Sequence, residues 1–119
     1  DLDSVFDFYT PVIIANNTFL AEEPETARAF LDAVSRGYEF AIEHPQEAGE
    51  ILCKAAPELD PDLVKASQEY LADKYQADAP QWGYIDQERW DAYYAWLNEK
   101  GLTETPIEAG TGCSNEYLP

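Results

Sequence analysis

The side chains that most often carry out catalysis are scarce in this sequence. There is one histidine, His44, and there are two cysteines, Cys53 and Cys113. Nucleophilic catalysis needs a base within reach of a serine or cysteine nucleophile, and His44, which directly precedes Pro45, has no such nucleophile nearby in the sequence. The sequence therefore predicts no catalytic triad, and we do not expect the chain to be an enzyme.

The two cysteines do not form a metal or redox motif. Cys53 and Cys113 lie far apart and show no CxxC spacing, so neither a zinc site nor a dithiol centre is indicated. A disulfide between them in an oxidising compartment stays open, as does the alternative that Cys53 is a small buried thiol on a helix. No cofactor is expected.

One acidic stretch begins like a calcium-binding loop. In "ELDPDLVK", Asp60 and Asp62 alternate as the first ligands of such a loop would. Val64 and Lys65 then occupy the positions where further oxygen ligands and a sharp-turn glycine are required. The sequence predicts no metal site here.

Aromatic residues are concentrated between positions 82 and 96. They could form a platform for a flat ligand, or they could be core residues. Most of them recur at helical spacing, and such a stripe is more often core than binding platform. The group is Trp82, Tyr84, Trp90, Tyr93, Tyr94 and Trp96.

The charge balance limits the kind of partner. Of 119 residues, 24 are Asp or Glu and only 7 are Lys or Arg, which gives a formal net charge of −17. A field of this sign repels phosphate backbones and anionic membrane surfaces. We therefore expect no nucleic acid among the partners.

Prolines and aspartates mark where helices should begin. Pro24, Pro45 and Pro61 each suit a first helical turn, and Asp60 and Asp86 suit the N-cap position. The sequence predicts a short helical turn at residues 17–22, a helix over residues 24–43, and further helices beginning at residues 45, 61 and 87.

The ends and inner faces of these helices also follow from the pattern. Pro57 should stop the helix that begins at residue 45, and Gly101 should end the last one in a left-handed conformation. Apolar residues at spacings of three and four predict the faces that pack inward. These are Ala27, Phe30, Leu31, Val34, Tyr38, Ala41, Ile42, Ala48, Ile51, Leu52, Ala55, Leu63, Val64, Ser67, Tyr70, Leu71, Trp90, Tyr93, Tyr94 and Leu97.

One segment near the start is typical of a strand. "VFDFYTPVIIANN", residues 5–17, has an almost wholly apolar centre, rich in β-branched and aromatic residues. This composition predicts a strand buried on both faces. Such a strand needs neighbouring strands, and the rest of the sequence predicts only helices.

The order of these features resembles a known family. The pattern from Glu23 and Pro24 through Ala48, "EPETARAFLDAVSRGYEFAIEHPQEA", the later "WGYIDQERWDAYYAWLNEKGL", and the closing "NEYLP" are similar to the C-terminal part of substrate-binding proteins of bacterial ABC importers for the thiamine pyrimidine precursor. These proteins are related to the fungal pyrimidine synthase of thiamine biosynthesis. The resemblance covers nearly the whole chain.

The resemblance implies a fold class and a domain organisation. The fragment would be mainly α-helical, with one buried N-terminal strand followed by about four to five helices, as part of a two-lobed α/β architecture of the periplasmic-binding-protein type II. Residues 1–119 would form a single C-terminal segment of that larger protein. Within it, residues 1–16 would be a hinge-crossing strand, residues 17–100 a helical region and residues 101–119 the C-terminal tail.

The resemblance also implies a site and a function. Asp7, Phe8 and Tyr9 would border the ligand cleft; the alternative is that Phe8 and Tyr9 pack at the hinge and Asp7 caps locally. Asn115 and Glu116 would tie down the tail. Most of the residues with which the family grips its pyrimidine have no counterpart in this chain. The function implied is delivery of a hydroxymethylpyrimidine or formylaminopyrimidine to a permease; the alternatives are a sulfonate or nitrate binding protein, or a pyrimidine-synthase-like enzyme.

Location and partners follow from the same family. A solute-binding component would lie outside the cytoplasmic membrane, in the periplasm or as a lipoprotein on the outer face, with a small pyrimidine and an ABC permease as its partners. The isolated fragment, whose strand lacks a sheet, is expected to form a homodimer or a strand swap through Val12, Ile13, Ile14 and Ala15.

Overall fold

The computed structural model describes residues 7–119, and this part of the chain is mainly helical. Val5 and Phe6, at the start of the predicted strand, lie outside the described residues. Five helices follow one another, in agreement with the predicted number. They are α1 (Asn17–Glu22), α2 (Pro24–Glu43), α3 (Pro45–Ala55), α4 (Pro61–Ala72) and α5 (Gln87–Glu99).

The predicted helix starts are confirmed. Proline occupies the first turn of α2, α3 and α4, where its missing N–H costs no intrahelical hydrogen bond. Asp60 caps α4, because its Oδ1 accepts from the backbone N–H groups of Asp62 and Leu63 at 2.9 and 3.2 Å. Gly101 follows α5 with φ at +62°, the predicted left-handed conformation.

The predicted buried strand is wrong for the described residues. Within residues 7–16 the backbone forms no strand, and Val12, Ile13 and Ile14 are 44, 54 and 88% exposed. The backbone of residues 10–15 makes no hydrogen bond to any other described backbone group. A β-strand exists only as part of a ladder, so an apolar sequence without a neighbouring strand in the described chain stays irregular and exposed.

The chain divides into two compact units. The first, here called the α5 unit, contains α1, α5 and the tail as far as Tyr117, in the described residues 7–22 and 85–117. The second, here called the three-helix unit, contains α2, α3 and α4, in Glu23–Tyr84 with Leu118–Pro119. Each has its own internal packing.

Small residues form the centre of the three-helix unit. α3 and α4 pack most extensively, and a Cβ on the buried Gly49 would lie 3.5 Å from Cγ1 of Val64. Beside them Tyr38 stacks on Trp82, with 4.4 Å between ring centroids, and meets Tyr75 edge-on at 5.0 Å. Trp82 is thus a packing residue, although it precedes α5 and lies outside the helical stripe of aromatic residues.

Part of the predicted inner faces is exposed instead. Of the predicted residues, Ala27 and Val64 are buried, but Phe30, Ile51, Leu52, Leu63 and Tyr70 are between 39 and 69% exposed. The periodicity correctly found amphipathic helices, but burial requires a second layer against each apolar face. Three helices cannot cover all of their own apolar surface.

Residues 7–119 contain no membrane-spanning helix and no helix in the C-terminal tail. No described helix combines the length and apolar character needed to cross a bilayer. The tail, residues 101–119, contains no helix.

Candidate functional site

The predicted site residues lie together against the first two turns of α5. Asp7 pairs with Arg89, whose Nε donates to Asp7 Oδ1 at 2.6 Å and whose Nη2 contacts the same oxygen at 2.5 Å. The two side chains are 68 and 41% exposed, respectively. An ion pair this exposed is screened by solvent and contributes little to stability.

Tyr9 contacts the same arginine through its ring. The guanidinium carbon of Arg89 lies 4.4 Å from the ring centroid, the geometry of a cation–π interaction. Partial desolvation lowers the pKa of Arg89, but hydrogen bonding to Tyr9 and to Asp7, together with the Asp7 charge, raises it more, so the net pKa lies above its ordinary value. Arg89 therefore stays cationic at any physiological pH.

The N-cap of α5 links these contacts. Asp86 Oδ1 accepts from the backbone N–H groups of Glu88 and Arg89 at 2.8 and 3.2 Å, which fixes the first turn. The backbone N–H of Asp86 donates to the Tyr9 hydroxyl at 3.0 Å. One cap thus orients Arg89 and anchors Tyr9.

Phe8 packs against the next turn of the helix. Its ring stacks on Tyr93 with centroids 4.7 Å apart and planes 18° from parallel. Tyr93 in turn stacks on Trp96 at 6.1 Å. The aromatic stripe of α5 is therefore used in packing, as its helical spacing predicted.

The aromatic stripe of α5 also contains a buried polar atom without a hydrogen-bond partner among the described residues. Trp90 contacts Tyr9 and Tyr94, with centroid distances of 6.4 and 5.9 Å. Its Nε1 is buried and has no hydrogen-bond partner among the described residues. A glycine is required beside it, because a Cβ on Gly112, whose φ is +83°, would collide with the Tyr94 hydroxyl.

The C-terminal tail is fastened along α5 by amide and carboxylate side chains. Asn98 donates to the carbonyl of Ile107 at 2.8 Å and accepts from its N–H at 2.9 Å. Asp91 accepts from the backbone N–H of Gly110 at 2.9 Å. Asn115 makes a paired contact with Ile85, which confirms its predicted structural role.

The cysteines are both free thiols in this structure. Cys113 Sγ lies 3.4 Å from Gln87 Oε1. Burial raises the pKa of the Cys113 thiol, and the nearby charge of Asp91 raises it further. A thiol of raised pKa is a poor nucleophile at neutral pH.

No metal centre is formed in the described part of the chain. Residues 7–119 contain no group of three or more His, Cys, Asp or Glu side chains arranged to hold an ion. His44 is about half exposed and lies beside Glu43 at the junction of α2 and α3. What residues 7–9 and the first two turns of α5 offer together is the exposed carboxylate of Asp7, the guanidinium of Arg89 and a set of aromatic rings.

Sequence reasoning did not find Arg89, Asp91 or Asn98. Asp7 and Arg89 are separated by 82 positions, so no spacing rule connects them. The sequence predicted that Arg89 lies in the first turn of the helix capped by Asp86, but it did not predict that Arg89 pairs with Asp7.

Comparison with known proteins relates this chain to one family. A family model described as "NMT1/THI5 like" matches residues 1–48. The chain resembles the NMT1/THI5-like proteins. The resemblance predicted from the sequence is thereby confirmed.

Three curated relatives are similar over most of this chain. The formylaminopyrimidine-binding protein of Halalkalibacterium halodurans is 29% identical over 82% of the chain, and the riboflavin-binding protein RibY of Chloroflexus aurantiacus is 24% identical over 97%. The 4-amino-5-hydroxymethyl-2-methylpyrimidine phosphate synthase of Candida albicans is 36% identical over 93%. The chain spans about a third of the length of these relatives, covering 31, 34 and 31% of them.

Proposed function

We propose that this chain is the C-terminal segment of a solute-binding protein that takes up a thiamine pyrimidine precursor and delivers it to an ABC permease. The observation that carries the proposal is the similarity to a formylaminopyrimidine-binding protein over 82% of the chain. The NMT1/THI5-like match at residues 1–48 supports it and includes the candidate residues Asp7, Phe8 and Tyr9.

The chain itself supports a role as part of a larger protein. Apolar side chains on α2, α3 and α4 remain exposed, and Val12, Ile13 and Ile14 lie on a backbone with no described hydrogen-bond partner. In the proposed two-lobed protein, strands from the remaining two thirds would pair with residues 10–15. Asp7, Phe8 and Tyr9 would then lie where the chain enters that sheet, at the edge of the ligand cleft.

The proposed protein works outside the cytoplasmic membrane, as a periplasmic or lipid-anchored component. An importer collects its solute on that side, so the binding protein must be there too. Fractionation of the native host, with the protein detected by antibody, tests this placement; a cytoplasmic fraction holding all of the protein would contradict it.

Calorimetric titration of the full-length protein tests the ligand. We expect binding of formylaminopyrimidine or hydroxymethylpyrimidine, and much weaker binding of riboflavin, an alkyl sulfonate and nitrate. Riboflavin belongs in the series because one relative is named for binding it. Tight binding of riboflavin, sulfonate or nitrate with no response to either pyrimidine would refute the ligand assignment.

A second candidate is a pyrimidine-synthase-like enzyme. The observation that favours it is the 36% identity to the Candida albicans synthase over 93% of the chain. The resemblance implies that such an enzyme consumes its own histidine and uses iron. Incubating the full-length protein with iron and a deproteinised cell extract, followed by mass spectrometry of the protein and the products, separates the two functions. Formation of a pyrimidine phosphate together with loss of mass from a histidine would establish the enzyme; an unchanged protein that binds pyrimidine reversibly supports the binding protein.

A further inference from the structure

Arg89 contacts both Asp7 and Tyr9. Its Nε and Nη2 reach Asp7 Oδ1, and its guanidinium plane lies over the Tyr9 ring at 4.4 Å. We propose that Arg89 is a positioning residue, which holds residues 7–9 so that the carboxylate of Asp7 accepts a hydrogen bond from an amino group on the bound pyrimidine. This inference rests on the proposed function.

The type of residue at position 89 matters for this role. A guanidinium is planar and can donate in its plane to a carboxylate while its face rests on an aromatic ring. A lysine ammonium could pair with Asp7, but it has no planar face to stack on Tyr9 while donating in the plane. Asp86 strengthens the arrangement, since its side chain caps the backbone N–H of Arg89 and its own N–H binds the Tyr9 hydroxyl.

Asp7 retains capacity to bind a ligand while it is held. A carboxylate offers about four lone-pair positions, and both Arg89 contacts go to Oδ1. The Asp7 side chain is 68% exposed, so solvent or a ligand can reach it. An exocyclic amino group on a pyrimidine is a donor that suits this acceptor, whereas sulfonate and nitrate are anions that a carboxylate repels.

The exposed ion pair between Asp7 and Arg89 can orient the Asp7 carboxylate before a ligand binds. Such a pair adds little stability, but it limits the orientations of a short, otherwise mobile side chain. A pre-oriented acceptor loses less conformational entropy on binding. The expected effect of Arg89 is therefore on ligand affinity and selectivity rather than on folding.

Calorimetry on the full-length protein with two ligands tests the proposal. The ligands are 4-amino-5-hydroxymethyl-2-methylpyrimidine and an analogue in which a methyl group replaces the amino group. The variants are Arg89→Met, Arg89→Lys and Asp7→Ala. The matched control is Arg36→Met, which removes a similar exposed pair, Arg36 Nε to Asp32 at 3.1 Å, on α2.

The affinity for the amino ligand should differ between the variants. We expect Arg89→Met and Asp7→Ala each to weaken its binding about tenfold, the size of a lost charge-assisted hydrogen bond. Arg89→Lys should fall between Arg89→Met and wild type, and Arg36→Met should match wild type. The methyl analogue should bind all the proteins with similar affinity.

Two results would overturn the inference while leaving the proposed function intact. One is wild-type affinity for the amino ligand in both Arg89→Met and Asp7→Ala. The other is equal weakening of both ligands, which would mean that Arg89 has only a structural role. If the wild-type protein binds neither pyrimidine, the proposed function itself fails, and the assigned role of Asp7 fails with it.

Hydrogen–deuterium exchange checks the holding step without any ligand. In the chain described above, the backbone N–H of Asp86, which donates to the Tyr9 hydroxyl, should exchange faster in Arg89→Met than in wild type, while Arg36→Met should leave it unchanged. Equal exchange in all three proteins would show that Arg89 does not hold the segment.

Discussion

Asn115 binds Ile85 through both ends of its side-chain amide. The Ile85 N–H donates to Asn115 Oδ1 at 2.9 Å, and Asn115 Nδ2 donates to the Ile85 carbonyl at 2.8 Å. The amide of Asn115 thus replaces the backbone partner that Ile85 would have in a sheet. The contact fixes the tail to the residue that precedes the Asp86 cap, and it lies in the same unit as the candidate site.

Replacing Asn115 should loosen this junction. Asn115→Ala leaves a part-buried N–H and C=O without partners, and we expect a loss of about 1 to 3 kcal/mol in the free energy of unfolding of the α5 unit. Asn115→Asp keeps the acceptor for the Ile85 N–H but places a second oxygen against the Ile85 carbonyl, so it should also destabilise. Urea unfolding followed by tryptophan fluorescence measures both variants. Wild-type stability in Asn115→Asp would show that the donor half of the pair is unimportant.

Two glycines should respond in opposite ways to the same substitution. Gly101 has φ at +62° and Gly37 lies within α2, and a Cβ on either would meet no atom within 4 Å. Gly101→Ala should destabilise by about 1 kcal/mol, because an L-residue is strained in the left-handed conformation. Gly37→Ala should stabilise by about 0.5 to 1 kcal/mol, because alanine loses less backbone entropy in a helix. Thermal unfolding by circular dichroism compares them, and a shift of the same sign in both would contradict the prediction.

Cys113 should react slowly with alkylating reagents. Its raised pKa, due first to burial and then to the charge of Asp91, lowers the fraction of reactive thiolate at a given pH. The rate of alkylation by iodoacetamide at pH 8 should be lower in the folded chain than in urea. In the folded chain the rate should also begin to rise only at a higher pH. Asp91→Asn removes the charge and should bring part of the rate back. Peptide mass spectrometry assigns the modified residue, and equal rates in folded and unfolded protein would count against this assignment.

The isolated chain should associate through its exposed N-terminal segment. Ile14 is 88% exposed on an apolar stretch without described backbone partners, and such an edge pairs readily with another copy. Ile14→Asp should shift a dimer to monomer, whereas Leu63→Asp, at a residue 69% exposed on α4, should leave the dimer intact. Solution scattering should be done at moderate salt, because the net charge of −17 opposes association at low ionic strength. A monodisperse wild-type monomer would rule out this association.

The helices were predictable because their signals are local. A proline in the first turn, an aspartate at the N-cap and a left-handed glycine at the end act within a few residues of one another, as Pro61, Asp60 and Gly101 show. The inward faces were predicted less well. Ile51 and Leu63 follow the helical period, yet they are exposed, because periodicity describes one helix and burial depends on what packs against it.

The candidate site also has one part that the sequence predicted and one part that it did not. Its three residues, Asp7, Phe8 and Tyr9, came from a resemblance, and their role as ligand contacts stays a prediction. Their partners Arg89, Trp90 and Tyr93 come from the other end of the chain. No periodicity or spacing relates the two segments, so only the folded chain could show that they meet.

The sequence by itself determined where the helices begin, the acidic character and the family resemblance, since these depend on local pattern and composition. The tertiary structure decided that residues 10–15 are exposed rather than buried in a sheet, and that one arginine joins Asp7 to Tyr9. Both outcomes depend on which distant residues come into contact. A strand needs a partner ladder and an ion pair needs a second charge, and neither partner is encoded next to the residue that uses it.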